Sequence, residues 1–163
     1  MMVVVCILGL IVLGLVTFFT GGARSWIAGQ SQLKAQREAR IAMDRMVKEI
    51  RVGKEIVAGS DTSVTVRVPR FDNDGNIDPM DPDYDVKYEL YSGTTIRKDS
   101  IPLIDNVLHE SGEPIFTYYN NNGISPPDST VSKLHIDLKV DVDDDGRPDI
   151  NLNSDIDLRN YSL

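Results

Sequence analysis

Asp141, Asp143, Asp145 and Asp149 stand at positions one, three, five and nine of a short segment, with Gly146 at six and Arg147 at seven. Alternate residues of a tight loop can turn their oxygens toward one centre, and glycine permits the sharp turn this requires. The spacing reproduces the first part of an EF-hand-type calcium loop, with the backbone carbonyl of Arg147 as the position-seven ligand. Calcium takes about six to eight oxygens. Position twelve is Leu152 rather than a bidentate Glu, so the missing ligands would come from Asp155 or Asp157. The alternative is a solvated acidic turn. Close carboxylates repel one another unless something neutralises them, which favours the calcium reading.

A second acidic stretch contains Asp72, Asp74, Gly75 and Asp78, then Asp81, Asp83 and Asp85. Arg70 occupies what would be its first ligand position, and Pro79 and Pro82 stiffen it, so an exposed hairpin insertion is expected rather than an ion site. Catalysis has little support. His109 and His135 are the only histidines, each in or near a strand with no Cys or Ser partner indicated. The chain has no Gly-rich phosphate loop, no zinc spacing and no nucleophile elbow, so it is not expected to be an enzyme. Tyr118 and Tyr119 read as sheet packing. The single cysteine, Cys6, excludes an internal disulfide.

The 163 residues suffice for one domain plus an appended helix. Net charge is −8, divided into +4 over residues 1–57 and −12 over residues 58–163. A head that acidic is a poor ligand for phosphate backbones, and no nucleic-acid partner is indicated.

Three kinds of segment must position these groups. Residues 1–20 carry no charge, and Arg24 is the first charged side chain. As a helix this run is long enough to cross about 30 Å of hydrocarbon. It lacks a basic n-region and a small-residue cleavage site, which argues against a removed signal peptide. From residue 30 to Val57 apolar side chains recur at helical spacing: Ala35, Ala39, Ala42, Met43, Met46, Val47 and Ile50. The opposite face is basic, and Arg40–Asp44, Asp44–Lys48 and Arg45–Glu49 are spaced for ion pairs. Gly53 and Gly59 bracket the helix end, with an exit turn over residues 59–61. Gly21 and Gly22 together cost a helix about 2 kcal/mol relative to alanine, so a kink is expected there.

After Asp61 the period changes to two. Val64, Val66 and Val68 share one strand face; Val86, Tyr88 and Leu90 share another, with a hairpin turn at Ser92-Gly93. Residues 115–119 form a further strand before the turn at residues 120–123. Leu134, Ile136, Leu138 and Val140 alternate with polar residues, and a last hairpin is expected over residues 150–158. The fold class is α+β: a long N-terminal helix packed on an antiparallel sheet. The divisions are a hydrophobic half-helix (1–22), an amphipathic half-helix (23–57) and an acidic β-rich head (58–163).

The uncharged run of residues 1–20, the segment 37–51 and the order Tyr88-Glu89-Leu90-Tyr91, Ile104-Asp105-Asn106-Val107, Phe116-Thr117-Tyr118-Tyr119, Leu158-Arg159-Asn160 resemble the type IV pilins and the pseudopilins of type II secretion. The similarity covers the whole chain and is closest to W-type minor pilins and J-type minor pseudopilins. One departure is plain: that family carries a glutamate fifth in its mature chain, where Val5 stands here. Either the sequence begins downstream of that motif and its leader, or this subunit lacks the glutamate. The resemblance implies a subunit held in the cytoplasmic membrane and then assembled, as a homo-oligomer or with other pilin subunits, into a periplasmic or extracellular helical filament. The assembly helix would be Val3, Ile7, Leu10, Leu13 and Val16, with Gly21 and Gly22 at its end. A minor pseudopilin and a single-pass membrane-anchored binding head are the alternatives.

Overall fold

The computed structural model describes residues 2–72, 77 and 81–159, with side chains for all of these except Met2, Val5, Arg24, Ala28 and Ser31. Helix α1 runs Met2–Arg51. Gly21 and Gly22 do not interrupt it. The Thr17 and Thr20 hydroxyls donate back to carbonyls one turn earlier, at 2.8–3.1 Å, so the only hydroxyls of the apolar run are satisfied within the helix.

The helix ends six residues before Val57. The Gly53 N–H donates to the Ile50 carbonyl at 2.9 Å and closes the last turn. A Cβ on Gly53 would lie 2.3 Å from Val66 Cγ1 and 3.0 Å from the Ile50 carbonyl oxygen, so glycine is required for this close passage. The chain then enters β1, Glu55–Ser60. Val57, which extends the helical pattern in the sequence, is a strand residue. Gly59 and Ser60 likewise belong to β1, and the turn into β2, Ser63–Val68, is made by Asp61 and Thr62.

The chain divides into two compact units, residues 1–36 and residues 37–163. The second contains two sheets, antiparallel throughout. Strands β1, β2, β3 (Tyr84–Tyr91), β4 (Thr95–Lys98) and β5 (Ile101–Ile104) follow one another across the first. The second has the order β10-β9-β7-β8, with β6 (Val107–Leu108) pairing the far end of β9. Its strands are β7 (Phe116–Asn120), β8 (Gly123–Ile124), β9 (Lys133–Val140) and β10 (Ile150–Asp157). The expected last hairpin is instead one strand. All eight residues of β10 pair in register with β9, which outweighs the local turn tendency of Asn153 and Ser154.

Ala39, Ala42, Met43, Met46 and Ile50 of α1 are buried among Ile56, Tyr88, Ile96, Phe116 and Leu134. Met46 and Ile50 are fully enclosed, each contributing about 1.5–3 kcal/mol by leaving water. The amphipathic half of the helix thus covers the sheets it was expected to cover. The i,i+4 pair expected between Arg45 and Glu49 is replaced by a longer link, because Glu49 accepts hydrogen bonds from Lys98 Nζ at 2.6 Å and from the Tyr88 hydroxyl.

Candidate functional site

Strand β9 delivers Asp141 to the start of the acidic loop, and β10 begins at its end. The Asp141 N–H donates to the Asn106 carbonyl and the Asp149 N–H to the Val140 carbonyl, both at 2.9 Å, so the loop closes on a fixed base. Asp141 is buried. Its carboxylate accepts the N–H groups of Asp144 (2.9 Å), Asp145 (3.3 Å) and Gly146 (2.8 Å). This nest holds Asp144 at φ +59° and Gly146 at φ +80°. Asp149 Oδ2 accepts the Val142 N–H at 2.8 Å from across the loop.

Carboxylate oxygens of Asp141, Asp143 and Asp149 lie within 4.8 Å of one another. Local desolvation and the neighbouring Asp145 and Asp149 raise the Asp143 carboxyl above its ordinary range. Three of the four carboxylates singled out in the sequence therefore converge. Asp145 stands apart from that trio and accepts the Arg147 N–H at 2.9 Å. Asp155 does not supply a missing ligand; it pairs on β10 with His135 Nδ1 at 2.7 Å and Lys133 Nζ at 2.9 Å. Those two partners hold the Asp155 carboxyl below its usual range. Asp157 likewise lies on β10, opposite Lys133.

In the second acidic stretch Asp74 and Asp78 lie outside the described residues. Asp81, Asp83 and Asp85 pair with Arg70 (3.6 Å), Lys54 (3.2 Å) and Arg67 (3.0 Å), so local cations already neutralise them. The Tyr118 hydroxyl donates to the Ser60 and Ser63 carbonyls at 3.0 and 2.6 Å, clamping the β1–β2 turn.

The unit of residues 1–36 presents a different chemistry. Val3, Ile7, Leu10, Leu13 and Val16 keep between 53% and 71% of their surface exposed. A Cβ on Gly21 or Gly22 would meet open space. Trp26, Ile27 and Leu33 are also exposed and carry apolar surface past the glycines, where the first charges had signalled its end. The helix is long and apolar enough to cross a membrane, a property that signal sequences share. Comparison with known proteins finds no matching family model, no matching curated protein and no matching solved structure.

Proposed function

We propose that the chain is a structural subunit of a type IV pilus-like filament, held in the cytoplasmic membrane by its apolar half-helix before assembly. One observation carries this reading: the same helix that completes the head's core through Met46 and Ile50 continues into a run whose described large apolar side chains are exposed. Such a run needs lipid or other helices. Leaving lipid for a core of like helices costs little, because packing and small residues such as Gly9 and Gly14 replace lipid contacts. The charge division supports it, since the basic face of the helix suits the acidic heads of neighbours.

The test is expression of the whole chain, and of a chain lacking residues 1–25, in a host with a working pilus assembly machinery. The whole chain is expected in filaments and the shortened one as a soluble monomer. A shortened chain that still polymerises, or a whole chain that stays monomeric in the membrane, defeats the proposal; the second outcome would favour a single-pass anchor carrying a binding head. Replacing the host machinery with that of type II secretion separates pilus from pseudopilus.

We also propose calcium as a ligand of the head, held by Asp141, Asp143 and Asp149. The convergence of these three carboxylates supports it, and the ion would contribute charge neutralisation and loop stability rather than chemistry.

A further inference from the structure

Between the C-terminal part of α1 and strands β3 to β5 lies an open cleft of about 650 Å³. Ile101 and Leu103 of β5, the last strand of its sheet, form an apolar wall. At its floor Lys98 and the Tyr88 hydroxyl both donate to Glu49, so these three groups satisfy one another. Asp99 also lines the cleft; its carboxylate accepts the Lys87 N–H at 2.9 Å and keeps its negative charge. Arg45 and Lys48 line it too, both exposed, and among the described residues neither has an anionic partner. The cleft therefore presents two cations, Arg45 and Lys48, against the one carboxylate left unpaired among its described residues, Asp99, a net positive lining beside an apolar wall.

The acidic loop carries the reverse in excess, with five aspartates over residues 141–149 against the single cation Arg147. Asp144 and Asp145 are exposed, belong to no ion pair among the described residues, and lie outside the converging trio. Exposed Pro148 adds apolar surface to the same loop. The nest around Asp141 fixes the loop's backbone, so docking it requires little ordering.

We propose that this cleft receives the acidic loop of a second copy of the chain, with Asp144 and Asp145 against Arg45 and Lys48 and Pro148 against the Ile101 wall. The proposal rests on the filament reading and names one of its lateral contacts. Cleft and loop are different patches, so the contact is head-to-tail; each copy keeps one half free and the association propagates as a ring or an open helix. Because the docking carboxylates are not those of the trio, calcium and the neighbour do not compete for them.

The test uses full-length chains in the assembly host, in a Cys6→Ser background, one bearing Lys48→Cys and the other Asp144→Cys. Oxidation should yield a mixed disulfide dimer about tenfold above a control pairing of Lys48→Cys with Asn121→Cys, an exposed site on the β7–β8 turn. Adding Arg45→Glu to the first chain should reduce the dimer about tenfold, and Asp145→Arg in the second should restore it. A yield equal to the control, or indifference to the charge reversal, overturns the contact. So does cross-linking of the Lys48→Cys chain to other host proteins but not to its Asp144→Cys partner. Filament formation by the unmodified chain in the same host separates the two failures: if filaments form while the head pair does not cross-link, only this contact is wrong; if no filaments form, the filament reading falls with it.

Discussion

The Tyr88 hydroxyl donates its hydrogen to the Glu49 carboxylate, joining the middle of β3 to the last turns of α1 across 39 residues of sequence. Lys98 reaches the other oxygen of the same carboxylate. Helix and sheet are thus tied by a charge-assisted link at the edge of an otherwise apolar contact, where removing one partner strands the others. Tyr88→Phe is expected to destabilise the folded chain by about 1–2 kcal/mol and Glu49→Ala by about 1–3 kcal/mol. Thermal melting of the full-length chain in detergent measures both, and the double variant should fall short of their sum because the residues share one bond.

The same tyrosine sets a pH limit. Burial first, and then the Glu49 carboxylate beside it, push the Tyr88 phenol far above its ordinary value; burial does the same for Tyr118. Each folded pKa is raised above the unfolded value, so the protonated form is the one folding favours. This contribution is complete below about pH 10, where tyrosine ionises in an unfolded chain, and is lost as pH rises beyond it. Each tyrosine should remove about 1.4 kcal/mol per pH unit above that point. Melting between pH 8 and pH 12 should show a decline that begins near pH 10 and is shallower in the Tyr88→Phe variant. An identical slope in the two proteins would refute the assignment.

Gly59 and Tyr118 offer a packing test. A Cβ on Gly59 would lie 2.2 Å from the Tyr118 hydroxyl oxygen, which cannot retreat without breaking its bonds to Ser60 and Ser63. Gly59→Ala is expected to cost about 1–3 kcal/mol. In a Tyr118→Phe background the cost should shrink, since the closest atom is gone, though Tyr118 Cζ at 2.7 Å keeps part of the clash. Equal costs in both backgrounds would place the strain elsewhere.

Gly21→Ala and Gly22→Ala should do the opposite. Neither added methyl meets an atom within 4 Å, so each is expected to favour the helix by about 1 kcal/mol. Circular dichroism of the full chain in micelles should show no loss of helix for the pair. A loss would mean that the two glycines are required by neighbours in the micelle.

These glycines show where the sequence was readable and where it was not. Period-two alternation located β2 and β9 because each buries one face, and the stripe from Ala39 to Ile50 marked the helical face of the core for the same reason. Val57 misled because an apolar residue four positions past Gly53 fits a helix and a strand equally well, and only the close passage at Val66 decides. The Glu49 link was illegible. Arg45 offered a local partner at helical spacing, and nothing in sequence marks Lys98, 49 residues away, as the better one. At the acidic loop, spacing indicated the convergence of Asp141, Asp143 and Asp149. It did not indicate that Asp145 would turn to a backbone N–H or that β10 would carry Asp155 to His135.

Within the loop, Asp141 and Asp143 should separate structure from ligand. Asp141 accepts three backbone N–H groups, so Asp141→Ala is expected to cost about 1–3 kcal/mol already in chelator, and more in calcium because a ligand is lost too. Asp143 is exposed and its carboxyl is raised by desolvation and by Asp145 and Asp149, so Asp143→Asn should not destabilise the calcium-free chain while removing the gain from the ion. That gain is RT ln(1 + [L]/Kd), about 2.7 kcal/mol at a hundredfold excess over Kd. Calorimetry in calcium and in chelator measures it. Equal melting points of the unmodified chain in the two conditions would end the calcium proposal.

The apolar half-helix is tested by placing a charge on it. Leu10 keeps 71% of its surface exposed and lies in the middle of the uncharged run. An arginine near the centre of a membrane helix costs about 2.5–3.5 kcal/mol on insertion scales, enough to shift partition between membrane and water by some two orders of magnitude. Leu10→Arg should therefore leave the membrane fraction and the filament. The head's melting temperature should stay unchanged, because its core is built from residues 39 onward. Leu33 is as exposed as Leu10, at 68%, but adjoins Lys34 and follows Arg24, so Leu33→Arg adds charge where the chain already carries it and should be tolerated. If both variants partition like the unmodified chain, the apolar run is not the surface that holds this protein to a membrane or to its neighbours. If both are lost equally, the holding surface extends past Trp26, and the division between anchoring and amphipathic halves belongs beyond Leu33 rather than at Gly22.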